Sequence, residues 1–302
     1  MISIHKYKNI SWLDLESPTR DELSNVGKEF GINSLTLHEL EARSERPKVD
    51  IYNNYIYLIL HFPKYSHGKS TGESFEIDFI IGKDFLITAH YDSYIPMVQF
   101  SKIFETNSIL NKISIENGGH AFYYLTKKIY EGIEEEMGEM EDALKDIELF
   151  IFEERGIEPL EKLSRMNKEL IDFRRTIKMH KEIFRSFEKA SKEFFGEKFS
   201  YYTTSLLGSF ERVWHAQESN REILLDLRQT IDSLYSARTN SVMRTLTILN
   251  FISIPLSLIA TFGQNAQNIP IIGHDKDFYM VIGLMLITSA IMLVFFKLKK
   301  WL

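Results

Sequence analysis

The 302-residue sequence contains no cysteine. That absence excludes disulfides, thiolate metal sites and cysteine nucleophiles. No run of basic residues stands without matching acids, and the net charge is −6, so nucleic acid is not expected as a partner. The first ten residues, MISIHKYKNI, lack the apolar stretch of a signal peptide, and the chain up to about residue 240 is expected to stay in the cytosol. Catalytic motifs are missing too: there is no H-E-x-x-H, no nucleophile elbow, and His38-Glu39 has no second histidine. His180 and His215 fall in helical stretches, where packing or solvation accounts for them. Gly68-Lys69-Ser70 looks like the end of a phosphate loop. However, Pro63 stands where the first glycine belongs and no apolar helix follows, so a plain turn is expected. An enzyme is not expected.

What is present is unevenly distributed. Residues 1–118 read as a cytosolic α/β domain. Ile10–Leu15 alternates like a strand, Val49–Phe62 is rich in tyrosine and isoleucine, and Ser74–Ile81 with Phe85–His90 brackets a hairpin turn at Gly82-Lys83-Asp84. Thr19–Phe30 and Leu35–Glu45 read as helices. From residue 119 onward everything reads as helix. Residues 131–154 carry eleven acids and one lysine, while residues 160–192 carry ten Lys/Arg against five acids, with a turn at Gly156 and Pro159 between them. The simplest expectation for residues 119–197 is an antiparallel helical hairpin with arms of opposite charge. The alternative is an acidic face that concentrates cations near a pore entrance.

Residues 198–262 contain one proline, Pro255, and one glycine, Gly208, and so read as a single long stalk helix that continues into a membrane span. Leu224, Leu227, Ile231 and Leu234 recur at steps of three and four, a coiled-coil seam. At about 1.5 Å per residue such a helix would be roughly 100 Å long. A rod of that length cannot bury its own apolar face, so it must pack on neighbouring helices or on copies of itself, and a homo-oligomer is expected.

Thr245–Phe262 and Phe278–Phe296 contain no charged residue, and each is long enough to cross a bilayer core. Arg238 and Arg244 precede the first span, and Lys297, Lys299 and Lys300 follow the second. The connecting loop, 263–277, carries Asp275 and Asp277. The positive-inside rule then places both termini, including the basic tail 297–302, in the cytosol and turns the loop outward. The expected location is the cell membrane, with Trp301 as an interfacial anchor. The second span, 278–296, is apolar nearly all round and suits an outer helix facing lipid. The first carries a stripe, Asn240, Met243, Thr247, Asn250, Ile254, Ser257 and Thr261, at steps of 3, 4, 3, 4, 3 and 4. Five of these seven residues are polar, so the face must meet protein or water, and it is expected to line a pore. The stripe holds no acid. Its amides and hydroxyls can hold a hydrated divalent cation and still release it.

The segment Asn240-Ser-Val-Met-Arg-Thr-Leu-Thr-Ile, Pro255-Leu-Ser-Leu-Ile-Ala, Gly263-Gln264-Asn265, Ile269-Pro270 and the ending Phe296-Lys-Leu-Lys-Lys-Trp-Leu302 resemble the CorA family of magnesium and divalent-metal channels. The resemblance is specific over Tyr235–Leu302 and compatible upstream. It implies a funnel-shaped homopentamer whose first membrane helices line the pore and whose second helices form an outer ring. The family's Gly-Met-Asn signature reads Gly263-Gln264-Asn265 here, which would be the selectivity filter, with Asn265 binding the metal through its water shell. Phe262 stands where the family usually has tyrosine, and the span is one residue shorter between Pro255 and Gly263. Zinc-transporting relatives also depart at the middle position, so Zn2+, Co2+ and Ni2+ stay open beside Mg2+. The resemblance further implies a polar ring at Asn240, a hydrophobic constriction at Met243 and Leu246, and Arg244 at the membrane face. Asp275 and Asp277 would attract cations to the outer mouth. No resident cofactor is implied, because the metal is the cargo. Many relatives close when magnesium fills sites that use an acid early in the stalk. Tyr201–Phe210 contains no acid, and Asp78, Asp84 and Asp92 are candidates for its partner in the α/β domain. Two rival expectations are a non-conducting membrane-anchored sensor or scaffold, and a proton-coupled zinc carrier.

Overall fold

The computed structural model describes residues 2–44, 46–64, 74–92, 95–110, 114–152, 158–265 and 277–299. The chain divides into two compact units, Met1–Arg228 and Gln229–Leu302.

The N-terminal unit is built on one sheet of six strands: β1 (Ile2–Tyr7), β2 (Ile10–Glu16), β3 (Lys48–Ile51), β4 (Tyr55–Pro63), β5 (Ser74–Gly82) and β6 (Phe85–His90). Their order is β1-β2-β6-β5-β4-β3. Neighbours run antiparallel except β2 and β6, which are parallel with Ser11 opposite Phe85. Strands β4 and β5 are buried at almost every position because helices cover both faces of the sheet. On one face Leu13, Leu15, Tyr57, Ile59, Ile80 and Ile87 pack with Leu23, Val26 and Leu40 from α1 (Arg20–Phe30) and the end of α2 (Ser34–Glu39). On the other, Trp12 meets Phe100 and Phe104 of α3 (Ile95–Leu110), and Phe79 meets Phe122 of α4 (Gly118–Phe152). Phe122 in turn contacts Phe187 of α6 (His180–Phe195). The unit is a three-layer α/β/α sandwich.

Local chemistry sets the helix ends. A capping box between Thr19 and Glu22 opens α1, and Gly31 closes it at a φ of 66°, where a side chain would be strained. At the start of α4 a Cβ on Gly118 would lie 2.1 Å from the Phe85 carbonyl oxygen, so only glycine fits there.

Two expectations are corrected. The helix expected to reach Glu45 stops at Glu39, where the next carbonyls face a competing donor: the Tyr91 hydroxyl, just beyond β6, lies 3.3 Å from Leu40 O and 3.0 Å from Ala42 O. The tyrosine- and isoleucine-rich stretch Val49–Phe62 falls in two strands, β3 and β4, with a turn between them. The basic arm of the hairpin is also two helices, α5 (Glu158–Ile177) and α6, which break just before His180. Part of the expected charge pairing runs through α7 (Ser200–Asn265): Glu218 meets Arg174 of α5, and Arg212 meets Glu134 of α4.

His180 is fully buried. Its Nε2 donates to the His61 carbonyl at 2.8 Å, and the Tyr130 hydroxyl donates to Nδ1. Packing, not solvation, accounts for it. Burial pulls its pKa down to about 4. The unfolded chain takes a proton near pH 6.5 that the folded chain refuses, so stability is lost as the pH falls from 6.5 towards 4. Acid unfolding followed by circular dichroism is expected to lose about 3 kcal/mol over that window. In His180→Gln the slope is expected to flatten, whatever its absolute stability.

In the C-terminal unit α7 runs on to Asn265, passing Pro255 without interruption, and α8 spans Asp277–Leu298. The rings of Phe251 and Phe296 meet at 6.2 Å. The windows that qualify α7 and α8 as membrane spans have mean hydropathies of 1.6 and 2.4. Exposed Leu, Ile, Val and Phe side chains cover most of the circumference of α8, with Val281, Met285, Thr288, Ser289, Met292 and Phe296 sharing one better covered face, and the Thr288 and Ser289 hydroxyls donate to their own i−4 carbonyls. That helix therefore offers lipid almost nothing polar.

Candidate functional site

The polar stripe of the first span lies along α7. Asn240, Met243, Asn250, Ile254, Ser257 and Thr261 are exposed, and Thr247 is half-buried. The better covered residues of the same segment include Ile248, Ile252, Pro255, Leu256 and Ile259, which share one face of the helix. At 100° per residue the two sets lie about half a turn apart. Among the described residues the polar face is therefore the less covered side of this stretch of α7, with Thr247 its one half-buried member. Leu246 flanks the stripe and is also exposed.

Hydroxyl geometry adds a constraint. Thr247 Oγ1 donates to the Met243 carbonyl at 2.8 Å, Ser257 Oγ to Ser253 at 2.9 Å and Thr261 Oγ1 to Ser257 at 2.8 Å. With each proton spent on the backbone, these oxygens present only lone pairs outward. Water bound to a cation points its hydrogens away from the metal, so such a face suits a hydrated cation and repels an anion.

Gly263, Gln264 and Asn265 form the last turn of α7 by their backbone. Asp277 opens α8. Asp275 and the rest of 266–276 lie outside the described residues.

The candidate acids of the N-terminal unit fare differently. Asp92 is engaged by Arg43 at 2.6 Å and Lys64 at 3.5 Å. Asp78 is 1% exposed and sealed from solvent, so it cannot meet another copy of the chain. Among the described residues no three His, Asp or Glu side chains converge to hold a metal. Thr203, Leu206, Ser209 and Phe210 of the acid-free stretch are buried in packing.

The family model for the CorA-like Mg2+ transporter protein matches residues 7–300. The chain belongs to this CorA family. As a member it is a divalent-cation transporter of the membrane and not an enzyme. It is similar to the cobalt/magnesium transport protein CorA of Thermotoga maritima, with 24% identity covering 97% of this chain and 83% of that protein. It is also similar to the magnesium transport protein CorA of Wolinella succinogenes, with 24% identity over 99% of this chain and 93% of the relative. The fold matches the complete structure of the CorA magnesium transporter from Methanocaldococcus jannaschii with a TM-score of 0.83, at 20% identity and covering 97% and 92% of the two chains. The long α7 and the apolar α8 of this CorA-family chain are therefore parts of a known architecture.

Proposed function

We propose that five copies of this chain gather their α7 stripes about one axis and pass hydrated Mg2+ into the cytosol down its electrochemical gradient. The observation that carries this is the less covered, polar face of α7, with Asn250 at mid-span. An amide turned to hydrocarbon leaves unsatisfied groups at a cost of several kcal/mol, whereas copies around an axis with water between them satisfy it. In this arrangement residues 1–118, the helices within 119–197 and both termini are cytosolic, and the 263–277 loop faces outward.

Mg2+ sheds its water reluctantly, so the filter must bind it with the shell in place. Gly263 carbonyls and Asn265 amides at the outer mouth do so, and Gln264 tunes preference between Mg2+ and softer divalent ions. Asp275 and Asp277 raise the local cation concentration. Thr261, Ser257, Asn250 and Thr247 then accept hydrogen bonds from the ion's waters, past Ile254. Met243 and Leu246 close the pore by dewetting, and Asn240 forms the last polar ring. A divalent ion gains about 4.6 kcal/mol per 100 mV of inside-negative potential, at about 2.3 kcal/mol per charge, so no nucleotide is required.

Uptake into proteoliposomes, with Mg2+, Zn2+, Co2+ and Ni2+ in competition, tests the proposal. The expected result is Mg2+ uptake that rises with inside-negative potential and ignores a pH gradient. No flux at any internal metal concentration would favour a scaffold, and dependence on a proton gradient would favour a coupled carrier. Asn250→Leu makes mid-span apolar, and uptake is expected to fall by at least about tenfold, a cost of 1.4 kcal/mol or more. Its assembly by size-exclusion chromatography should be unchanged. Native uptake in that variant would refute the pore-lining role.

A further inference from the structure

Away from the ion pathway, two acids stand at alternate positions of β5 on the face that α2 covers. Glu76 is 5% exposed and Asp78 1%. The oxygens of Glu76 accept the Ser44 N–H at 2.9 and 3.0 Å, with His61 Nε2 3.4 Å away. Neither oxygen of Asp78 meets a donor among the described residues, and the buried Tyr57 hydroxyl beside it has no partner there either.

The charged and titratable groups around Asp78 come from every neighbouring element. They are Glu39 of α2, Arg43 in the segment after it, Lys48 and Asp50 of β3, Tyr57 and His61 of β4, Glu76 of β5, and Tyr91 and Asp92 beyond β6. The cations are committed elsewhere: Lys48 lies between Glu39 at 2.5 Å and Asp50 at 2.7 Å, and Arg43 pairs with Asp92. His61 Nε2 is 2.9 Å from the Ser44 carbonyl. An ionised Asp78 would be a buried charge beside two further carboxylates, with no donor within hydrogen-bond distance among the described residues. Asp78 and Glu76 stand two positions apart on one face of β5, and since two carboxylates only accept, a hydrogen bond between them forms only when one carries a proton.

We propose that Asp78 keeps its proton at neutral pH and donates it to Glu76, and that this bond clasps the Leu40–Ser44 segment, held by Glu76 through Ser44, onto the sheet. Burial, then the Glu76 and Glu39 carboxylates, push the Asp78 carboxyl well above the usual carboxylate range, in keeping with this geometry. Burial foremost also pushes Tyr57 and Tyr91 up, so both remain neutral. The sign follows from linkage: above about pH 3.9 the open chain sheds a proton that the closed one keeps. The clasp therefore weakens as the pH rises towards the folded pKa.

The test uses the full chain in lipid nanodiscs. In the infrared difference between wild type and Asp78→Asn at pH 7, a carboxylic-acid carbonyl band is expected in the wild type alone. Amide exchange over residues 40–48, corrected for its intrinsic pH dependence, should accelerate in wild type by about tenfold per pH unit between pH 5.5 and 7.5 and stay flat in Asp78→Asn. Should Asp78→Asn fail to fold, Glu76→Gln serves instead: it replaces the accepting carboxylate, and the carboxylic-acid band of Asp78 is expected to shift with Asp78 still in place. Identical carboxyl spectra in wild type and the folded variants would overturn the proposal, as would wild-type exchange that does not respond to pH.

Discussion

A chain carrying Asn265→Leu is expected to take up Mg2+ at least about 100-fold more slowly than the native one while assembling normally. Such a loss is about 2.7 kcal/mol at 1.36 kcal/mol per decade. Hydrogen bonds that involve a charged partner are worth about 1.5–3 kcal/mol each. A ring of Asn265 amides would offer several at once to the waters of the ion, and leucine methyls offer none. Asn265→Gln keeps the amide and should lose less. The measurement is initial uptake at fixed membrane potential, normalised to the assembled channel. Native rates in Asn265→Leu would move selection away from this position.

Phe122→Ala is expected to destabilise the N-terminal unit by about 3–5 kcal/mol, the range for truncating a buried phenylalanine. Phe122 is fully buried on α4, 5.0 Å from the Phe79 ring of β5 and 4.7 Å from the Phe187 ring of α6. Its removal empties the joint where one helical layer meets the sheet, and two large rings lose a partner together. Unfolding by denaturant, followed through far-UV circular dichroism, measures the loss. Uptake per folded channel should be unchanged, because the ring lies far from the α7 stripe in sequence and role. A cost below about 1 kcal/mol would mean that the layers close over the gap.

The parts legible in the sequence were those set by local period. The β5–β6 hairpin, helix α1, and the 3–4 spacing of the α7 stripe each depend on residues within one or two turns of one another. The α5–α6 break was not legible, because it turns on His180 reaching the carbonyl of His61, 119 positions away. The early end of α2 escaped for the same reason, since Tyr91 supplies the competing donor from 51 and 49 positions away. Strand β1 and helix α3 were missed outright: β1 is a partly exposed edge strand, and α3 has no marked amphipathic pattern. Within β5 the alternation Phe75-Glu76-Ile77-Asp78-Phe79 is what a half-solvated strand would show. Only the fold-over of residues 40–44 turns its polar side into an interior. Of the candidate site, the α7 stripe was readable, and the sealed acids were not.

The parallel pairing of β2 with β6 has a consequence for biosynthesis. Asp14 and Thr88, opposite each other in that register, are 74 positions apart in the chain. At about 5–20 residues per second, a ribosome needs roughly 4–15 s between making one strand and the other. During that interval the nascent β1–β2 ribbon has one edge without its partner, open to pairing with a neighbouring polypeptide. Conditions that slow translation between codons 16 and 85 should therefore promote aggregation more than the same delay placed after codon 90.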